Sequence, residues 1–518
     1  MEHKTPWNNI GDMIKDHAKK FKDKPYLIYC EDNSKISFAE FDEITNKVAN
    51  TLLDLGLKKG EKVSAILPNS LELLYAMFGA FKIGAVFSPM NINLLAEEYE
   101  YLINDSGSKV VFVDSKNLIK IEKIRKNLSS LKEIISIEEK NRTKGIKLFK
   151  DEIEKYSSEL KSQNITLSSE ALIIYSSGTT GKPKGVILTH ENLITCSMSV
   201  GRFLSLKENT ISLDSLPLFF IGGIMPTLFT TTCVGGTVVI NKKFSKSLFW
   251  KRIEEYKINY TLLVPTMLSI LLNPPEDISK YNLKSLKYIL SSAAPLPVEL
   301  MKKFEKEFNF NIFEAYGLTE DTAWVTMTPI DLKKRKPGSV GIAMDINEIK
   351  IVDDNDKEVP LNSKGEVLAK GSQIMKCYHN KPDLTKETLK NGWLHTGDIG
   401  YLDKNNYLYI IDRKKDLIIK GGENISPTEI DAVLYKHPNV VDAATIGIPD
   451  EMYGEEIKAF VVLKKGKKAT ETELIDFCQK HLAKHKCPKS ISFIDKIPKG
   501  PSGKLLRREL IERDKDKS

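Results

Sequence analysis

From Lys62 to Asp114 the chain alternates short apolar runs with stretches of helical period, and few residues connect one to the next. Lys62 to Leu67 reads as a strand, Leu71 to Phe81 as a helix, Gly84 to Ser88 as a strand, Leu94 to Ile103 as a helix and Lys109 to Asp114 as a strand. Such alternation predicts parallel sheets covered by helices, because parallel neighbours need a crossover and a helix is the usual one. A helix precedes the series. Ser37-Phe38-Ala39-Glu40 is a capping-box pattern, Ile44, Val48, Leu52 and Leu55 recur at helical spacing, and Gly56 ends the run. The pattern resumes with a helix at Phe249 to Tyr256 and strands at Tyr260 to Val264 and Leu286 to Leu290.

Two regions depart from it. Residues from about Lys116 to Ser169 are rich in Lys and Glu and weakly patterned, which predicts solvated helices and loops. Near residue 340 the character turns β-rich, with short runs at Ile346 to Val352, Glu366 to Ala369 and Tyr407 to Ile411. After Asp412-Arg413-Lys414-Lys415-Asp416 a compact piece follows. Thr428 to Leu434 and Glu471 to Leu482 read as helices, and Asp442 to Ile448, Ala459 to Leu463 and Ser490 to Ile494 as strands. About a hundred residues suffice for a separate small domain. The expected fold class is α/β. A large N-terminal domain over residues 1–412 holds α/β sheets plus a small β-rich unit, and a small α+β C-terminal domain covers 413–518.

With 518 residues the chain is ample for two to four domains. The formal charge is +8, but Lys and Glu are interspersed and no basic stripe carries interleaved aromatics, so nucleic-acid binding is not favoured. The six cysteines are scattered with no C-x-x-C, which fits free thiols in a reducing compartment. Cys478, His481, His485 and Cys487 lie close in sequence, but their spacing matches no common zinc site and a helix end explains them as well. The N-terminus lacks a signal h-region, no stretch approaches ~18 consecutive apolar residues, and the charged C-terminus carries no lipidation or peroxisomal signal. A cytoplasmic location is expected.

The densest chemical signal is Tyr175-Ser176-Ser177-Gly178-Thr179-Thr180-Gly181-Lys182-Pro183-Lys184-Gly185. Ala171 to Tyr175 reads as a strand entering a loop, and Gly185 to Thr189 as a strand leaving it. Glycines let backbone N–H groups converge, hydroxyls add donors and lysines add charge, which is how a protein holds a polyphosphate. It is not a Walker A loop, since Pro183 follows Lys182. A plain surface hairpin is the alternative reading.

Four further clusters follow it: Tyr316-Gly317-Leu318-Thr319-Glu320, Gly392 to Asp398, Asp412 to Pro427, and Pro498-Lys499-Gly500-Pro501-Ser502-Gly503-Lys504. Five motifs in this order resemble the adenylate-forming superfamily, which includes acyl-CoA synthetases, peptide-synthetase adenylation domains and luciferases, and the chain looks most like its AMP-forming acyl-CoA ligases. The resemblance spans Ser37 to Arg507. It implies ATP-dependent activation of a carboxylate to an acyl-adenylate, then transfer to CoA, with ATP, Mg²⁺ and CoA as cofactors. Ser176, Ser177, Gly178, Thr179, Thr180, Gly181 and Lys184 are implied in holding the leaving phosphates. Thr319 would bond the α-phosphate, and Glu320 would carry Mg²⁺, which takes only one or two carboxylates plus phosphate oxygens. Tyr316 would stack on adenine, with Ala293, Ala294 and Pro295 as the other wall. Asp398 and Arg413 would contact the ribose, Lys415 would mark the hinge of a mobile C-terminal domain, and Lys420, Gly421 and Gly422 would face CoA. Lys504 matches the family's catalytic lysine. Read without the resemblance, Glu320 could be a helix N-terminal acid, Tyr316 core, and Lys504 a solvated tail lysine.

Leu216 to Gly223 resembles the family's carboxylate-pocket motif, which implies Phe219, Phe220 and Gly222 in the pocket, and Gly317 is expected to line it too. Phe220 stands where many relatives carry His, and Ser292 where they usually carry Gly. No Asp lies between Leu216 and Pro226, which argues against an amino-acid substrate, and the apolar walls suit a fatty or other hydrophobic acid. Two alternatives remain open here: a ligase whose acceptor is a carrier protein, and a nucleotide-binding homologue without catalysis.

Overall fold

The computed structural model describes residues 5–138, 140, 145–176, 182–500 and 505–515. Among them the strands form four sheets of eight, nine, five and five strands. In the eight-stranded sheet Lys62–Ile66 lies centrally, parallel to Val86–Pro89 on one side and Val110–Val113 on the other. Its helices cover it as the alternation predicts: Phe38–Asp54 opens with a complete Ser37/Glu40 capping box, and Leu71–Lys82 is buried along nearly its whole length. The hairpin Glu170–Ser176 and Lys184–Thr189, antiparallel within itself, joins this sheet through Glu170–Ser176, which runs parallel to Val86–Pro89, and Cys377–Tyr378 adds a further antiparallel strand beyond it.

The nine-stranded sheet runs parallel from Ile211–Asp214 through Tyr260–Leu263 and Tyr288–Ser291 to Ile312–Tyr316. Ligands in open α/β sheets bind beyond the carboxyl ends of such strands, and here those ends carry Leu216 to Gly223, Ser292 to Pro295 and Gly317 to Glu320. The main core joins helices and strands of both sheets, with Phe38, Phe41, Phe78, Phe81 and Phe229 fully buried in it.

The β-rich unit is an antiparallel sheet of Asn347–Val352, Gly365–Gly371 and Trp393–Leu402, with Leu408–Arg413 paired to the last. The C-terminal piece has its own sheet and its own core around Ile418, Ile430, Val440, Ile457 and Leu474. Its long hairpin Val440–Asp450 with Gly454–Leu463 is antiparallel, and only Ser490–Phe493 pairs parallel to it, so an α+β description holds.

The expectation for residues 116–169 is corrected. Glu133–Ser136 and Lys147–Leu148 extend the eight-stranded sheet in parallel, with Ile134 and Ile135 fully buried. Only Ile134 and Ile135 are apolar in this strand, and charged loops flank it, so it makes no apolar run. A helix at His190–Phe203 also went unpredicted; His190, Asn192, Thr195, Cys196, Ser197 and Ser199 share its buried positions with Leu193, Ile194 and Val200 and blur the apolar stripe.

Candidate active site

Asp398 is the hub of the first side-chain cluster. It lies on Trp393–Leu402, and strand pairing sets it opposite Arg413. The Tyr316 hydroxyl donates to its Oδ2 at 2.7 Å, and Arg413 Nε lies 3.2 Å from its Oδ1. Asp398 is 4 % exposed, so the carboxylate is fixed by a phenol and a guanidinium in a largely dry setting. Burial, then the Asp398 charge, holds the Tyr316 proton well above the ordinary phenol range. Burial works against the Arg413 charge, but Asp398 beside it leaves the guanidinium pKa above its usual value. Ala293, Ala294 and Pro295 follow Tyr288–Ser291, the parallel neighbour of the strand that ends at Tyr316. Ala293 and Pro295 are exposed, and Ala293 has φ +72°, a left-handed conformation that turns the chain sharply after the strand.

The second cluster joins the two large sheets. Glu320 belongs to the one-turn helix Thr319–Asp321, and Lys184 to the hairpin strand Lys184–Thr189. Between them stands Tyr378. Lys184 Nζ donates to Tyr378 Oη at 2.7 Å, Tyr378 Oη donates to Glu320 Oε1 at 2.8 Å, and Lys184 Nζ lies 3.5 Å from Glu320 Oε1. Burial, then the Glu320 charge, holds the Tyr378 phenol protonated. Motif reading missed Tyr378; its strand meets the hairpin only in three dimensions, and nothing local marks it. Asp321 was missed as well. It is fully buried, accepts the Leu318 N–H at 2.9 Å, and is pushed well above the usual carboxylate range by burial.

Gly317 has no room for a side chain: a Cβ there would meet the Ala323 carbonyl oxygen at 2.0 Å. Gly222 would meet nothing within 4 Å, whereas a Cβ at Gly223 would strike the Pro217 carbonyl oxygen at 2.3 Å, so the turn itself demands Gly223. Phe219 and Phe220 pack with ring centroids 4.5 Å apart, ahead of a π-helical stretch at Ile224–Phe229. Ser176 pairs with Lys184 at the neck of the hairpin, and its buried hydroxyl has no hydrogen-bond partner among the described residues. Ser177, Gly178, Thr179, Thr180, Gly181 and Lys504 lie outside the described residues.

Lys415 sits in the one-turn helix Lys414–Asp416 between the β-rich unit and the C-terminal sheet, and burial pushes its ammonium pKa down. Lys420, Gly421 and Gly422 form a tight hairpin in which Lys420 pairs with Glu423 and both glycines have positive φ, +59° and +84°. The Lys420 ammonium is ion-paired to Glu456. All six cysteines are free; Cys478 and Cys487 pack in the C-terminal core, and the His481 ring contacts the Phe477 carbonyl instead. Among the described residues no group of His, Cys, Asp and Glu is placed to hold a metal by itself, and no helix is long and apolar enough to cross a membrane.

A family model described as AMP-binding enzyme matches residues 14–379, and one described as AMP-binding enzyme C-terminal domain matches residues 429–504. The chain is 32% identical over 508 residues to a sulfoacetate–CoA ligase of Cupriavidus necator, covering 98% of each. It is 33% identical over 543 residues to a long-chain-fatty-acid–CoA ligase of Bacillus subtilis, covering 99% of this chain and 96% of that one. Among solved structures, ATP-bound MatB from Rhodopseudomonas palustris is 28% identical with a TM-score of 0.90, over 98% of this chain and 99% of that one. Apo MatB, at the same identity and coverage, scores 0.79.

Proposed function

Because the chain belongs to the family of AMP-binding enzymes and within it to the CoA ligases, which activate an acid with ATP and pass it to CoA, we propose that its acid is fatty or otherwise hydrophobic. The observation that carries this reading is the Phe219–Phe220 pair in a segment, Leu216 to Pro226, without a charged residue. A small anionic acid such as sulfoacetate needs a cation at its far end, and this segment offers none.

Asp398 accepts from the ribose hydroxyls with Arg413 beside it, and Tyr316 with the Ala293–Pro295 loop encloses adenine. Ser176 through Gly181 and Lys184 hold the β- and γ-phosphates; the Ser176 hydroxyl, unpartnered among the described residues, suits that task. Thr319 bonds the α-phosphate. Glu320 is a fitting ligand for Mg²⁺, a hard cation that takes one or two carboxylates and completes its shell with phosphate oxygens and water. When bound, the ion offsets charge on the leaving phosphates. Lys504 stabilises the charge that gathers on the α-phosphoryl oxygens as the carboxylate attacks.

The large domain covers residues 1–412 and the small one 413–518, with Lys415 as hinge and the Lys420–Gly422 hairpin on the CoA side. ATP-bound and apo MatB match this chain at equal identity and coverage but with different scores. The higher score with ATP-bound MatB therefore supports an arrangement like that of a nucleotide-loaded relative. Free thiols favour the cytoplasm.

Pyrophosphate release over a panel of short, long, aromatic and dicarboxylic acids, with CoA or a carrier protein as acceptor, tests this. Release with medium or long alkyl acids and a CoA product is expected. Preference for small dianionic acids would sink the substrate reading, and product formed only on carrier protein would replace the acceptor.

A further inference from the structure

Lys184 and Glu320 are oppositely charged, both largely buried, and 3.5 Å apart, yet they make no direct short ion pair. A charge-assisted N–H to O bond closes to about 2.7–2.9 Å. What fills the gap is the Tyr378 hydroxyl, which accepts from the ammonium at 2.7 Å and donates to the carboxylate at 2.8 Å. A phenol is suited to this place because one oxygen can accept and donate at once.

The phenol is held from several directions. Tyr378 pairs with Val186 two residues along the strand from Lys184, and Cys377 pairs with Ile187. Its N–H donates to Thr385 Oγ1 at 2.9 Å. The Met375 N–H, from the same segment, donates to the Glu320 carbonyl at 2.8 Å. Lys184 also stands 4.0 Å from the centre of the Tyr378 ring. The segment from Met375 to Tyr378 is therefore tied to both charged partners, and both described contacts of the Glu320 carboxylate fall on Oε1.

We propose that Tyr378 is a positioning residue whose hydroxyl keeps Lys184 and Glu320 from closing into a direct ion pair, so that the ammonium stays available to phosphate and the carboxylate to the metal. This rests on the reading that Glu320 carries the divalent cation. Phe at this position keeps the ring and its contact with the ammonium but removes the relay. Lys184 then captures Glu320, and metal and ammonium compete for one carboxylate.

The test needs no turnover. Affinity of the full-length chain for α,β-methylene-ATP is measured with and without Mn²⁺, in the absence of acid, with free Mn²⁺ followed by electron paramagnetic resonance. In Tyr378→Phe the gain in nucleotide affinity conferred by Mn²⁺ should fall about tenfold, close to one charge-assisted hydrogen bond. In a Lys184→Met background the same change should cost less than twofold, because no ammonium remains to capture Glu320. Thr385→Val, which loosens the Tyr378 backbone and leaves the phenol, should show about a threefold loss and serves if Tyr378→Phe does not fold. An unchanged Mn²⁺ gain in these variants, or an equal penalty with and without Lys184, would overturn the proposal. Glu320→Gln tests the reading beneath it: if that variant keeps the full Mn²⁺ gain, Glu320 is not the metal's carboxylate, whatever Tyr378 does.

Discussion

The two clusters use the same three chemical groups, a phenol, a carboxylate and a cation, in opposite order. Around Asp398 the carboxylate is central, receiving Tyr316 on one oxygen and Arg413 on the other. Around Tyr378 the phenol is central, with Lys184 on one side and Glu320 on the other. A central carboxylate fixed from both sides makes a rigid acceptor, suited to neutral hydroxyls that always bind alike. A central phenol keeps two charges apart, suited to a place where each must leave its partner for phosphate or metal. The guanidinium in the first cluster is planar and permanently charged; the ammonium in the second is a compact charge on a flexible stem.

The widest separation between the two ends should come from the group assigned to neither. Lys504→Ala is expected to slow adenylation about 10²–10³-fold, by analogy with loss of a single electrostatic donor, while transfer from a supplied acyl-adenylate to CoA is retained; equal losses in both half-reactions would remove its special role. Next, Asp398→Ala takes away the hub of the cluster proposed to hold the nucleoside. Hydrogen bonds to charged groups contribute about 1.5–3 kcal/mol, so AMP affinity measured by calorimetry should drop about 10–100-fold. AMP lacks the outer phosphates, so Lys184→Met should leave AMP affinity much closer to wild type and slow adenylation about tenfold, one charge-assisted contact. If both variants bind AMP alike, the division into nucleoside and phosphate ends fails.

The last prediction concerns a buried acid outside both clusters. Asp214, which accepts the Leu216 N–H at 3.3 Å, is pushed up to about 8 by burial. Its folded form therefore holds a proton that the unfolded chain releases above about pH 4. The stability it contributes is present below that pH and is lost as pH rises toward 8. Urea midpoints at pH 5 and pH 7.5 should show wild type losing ground to Asp214→Asn as pH rises; parallel lines would mean that Asp214 is charged in the fold.

The alternating pattern between Lys62 and Asp114 was legible because its strands are continuous apolar runs, such as Val110–Val113, set between long helical stretches such as Leu71–Lys82. The Glu133–Ser136 strand was not, since its two apolar residues between charged loops make no run, and its place is set by pairing with Val110–Val113. The motif around Tyr316 and Glu320 was legible as chemistry, but not its partners. Tyr378 is 194 residues from Lys184 in sequence and 58 from Glu320, and the strand pairing at Val186 and the Met375 hydrogen bond to Glu320 make them neighbours.

By itself the sequence determined the order of the five motifs and the α/β class, which rest on residue types at short spacings, and through the family those motifs resemble it implied the kind of reaction. Only the tertiary structure decided that Tyr316 donates to Asp398, that Gly223 rather than Gly222 is demanded by the turn, and that a phenol stands between Lys184 and Glu320. Such contacts depend on distances of a few ångströms between segments far apart in the chain. Sheet pairing and core packing set those distances, and local pattern does not encode them.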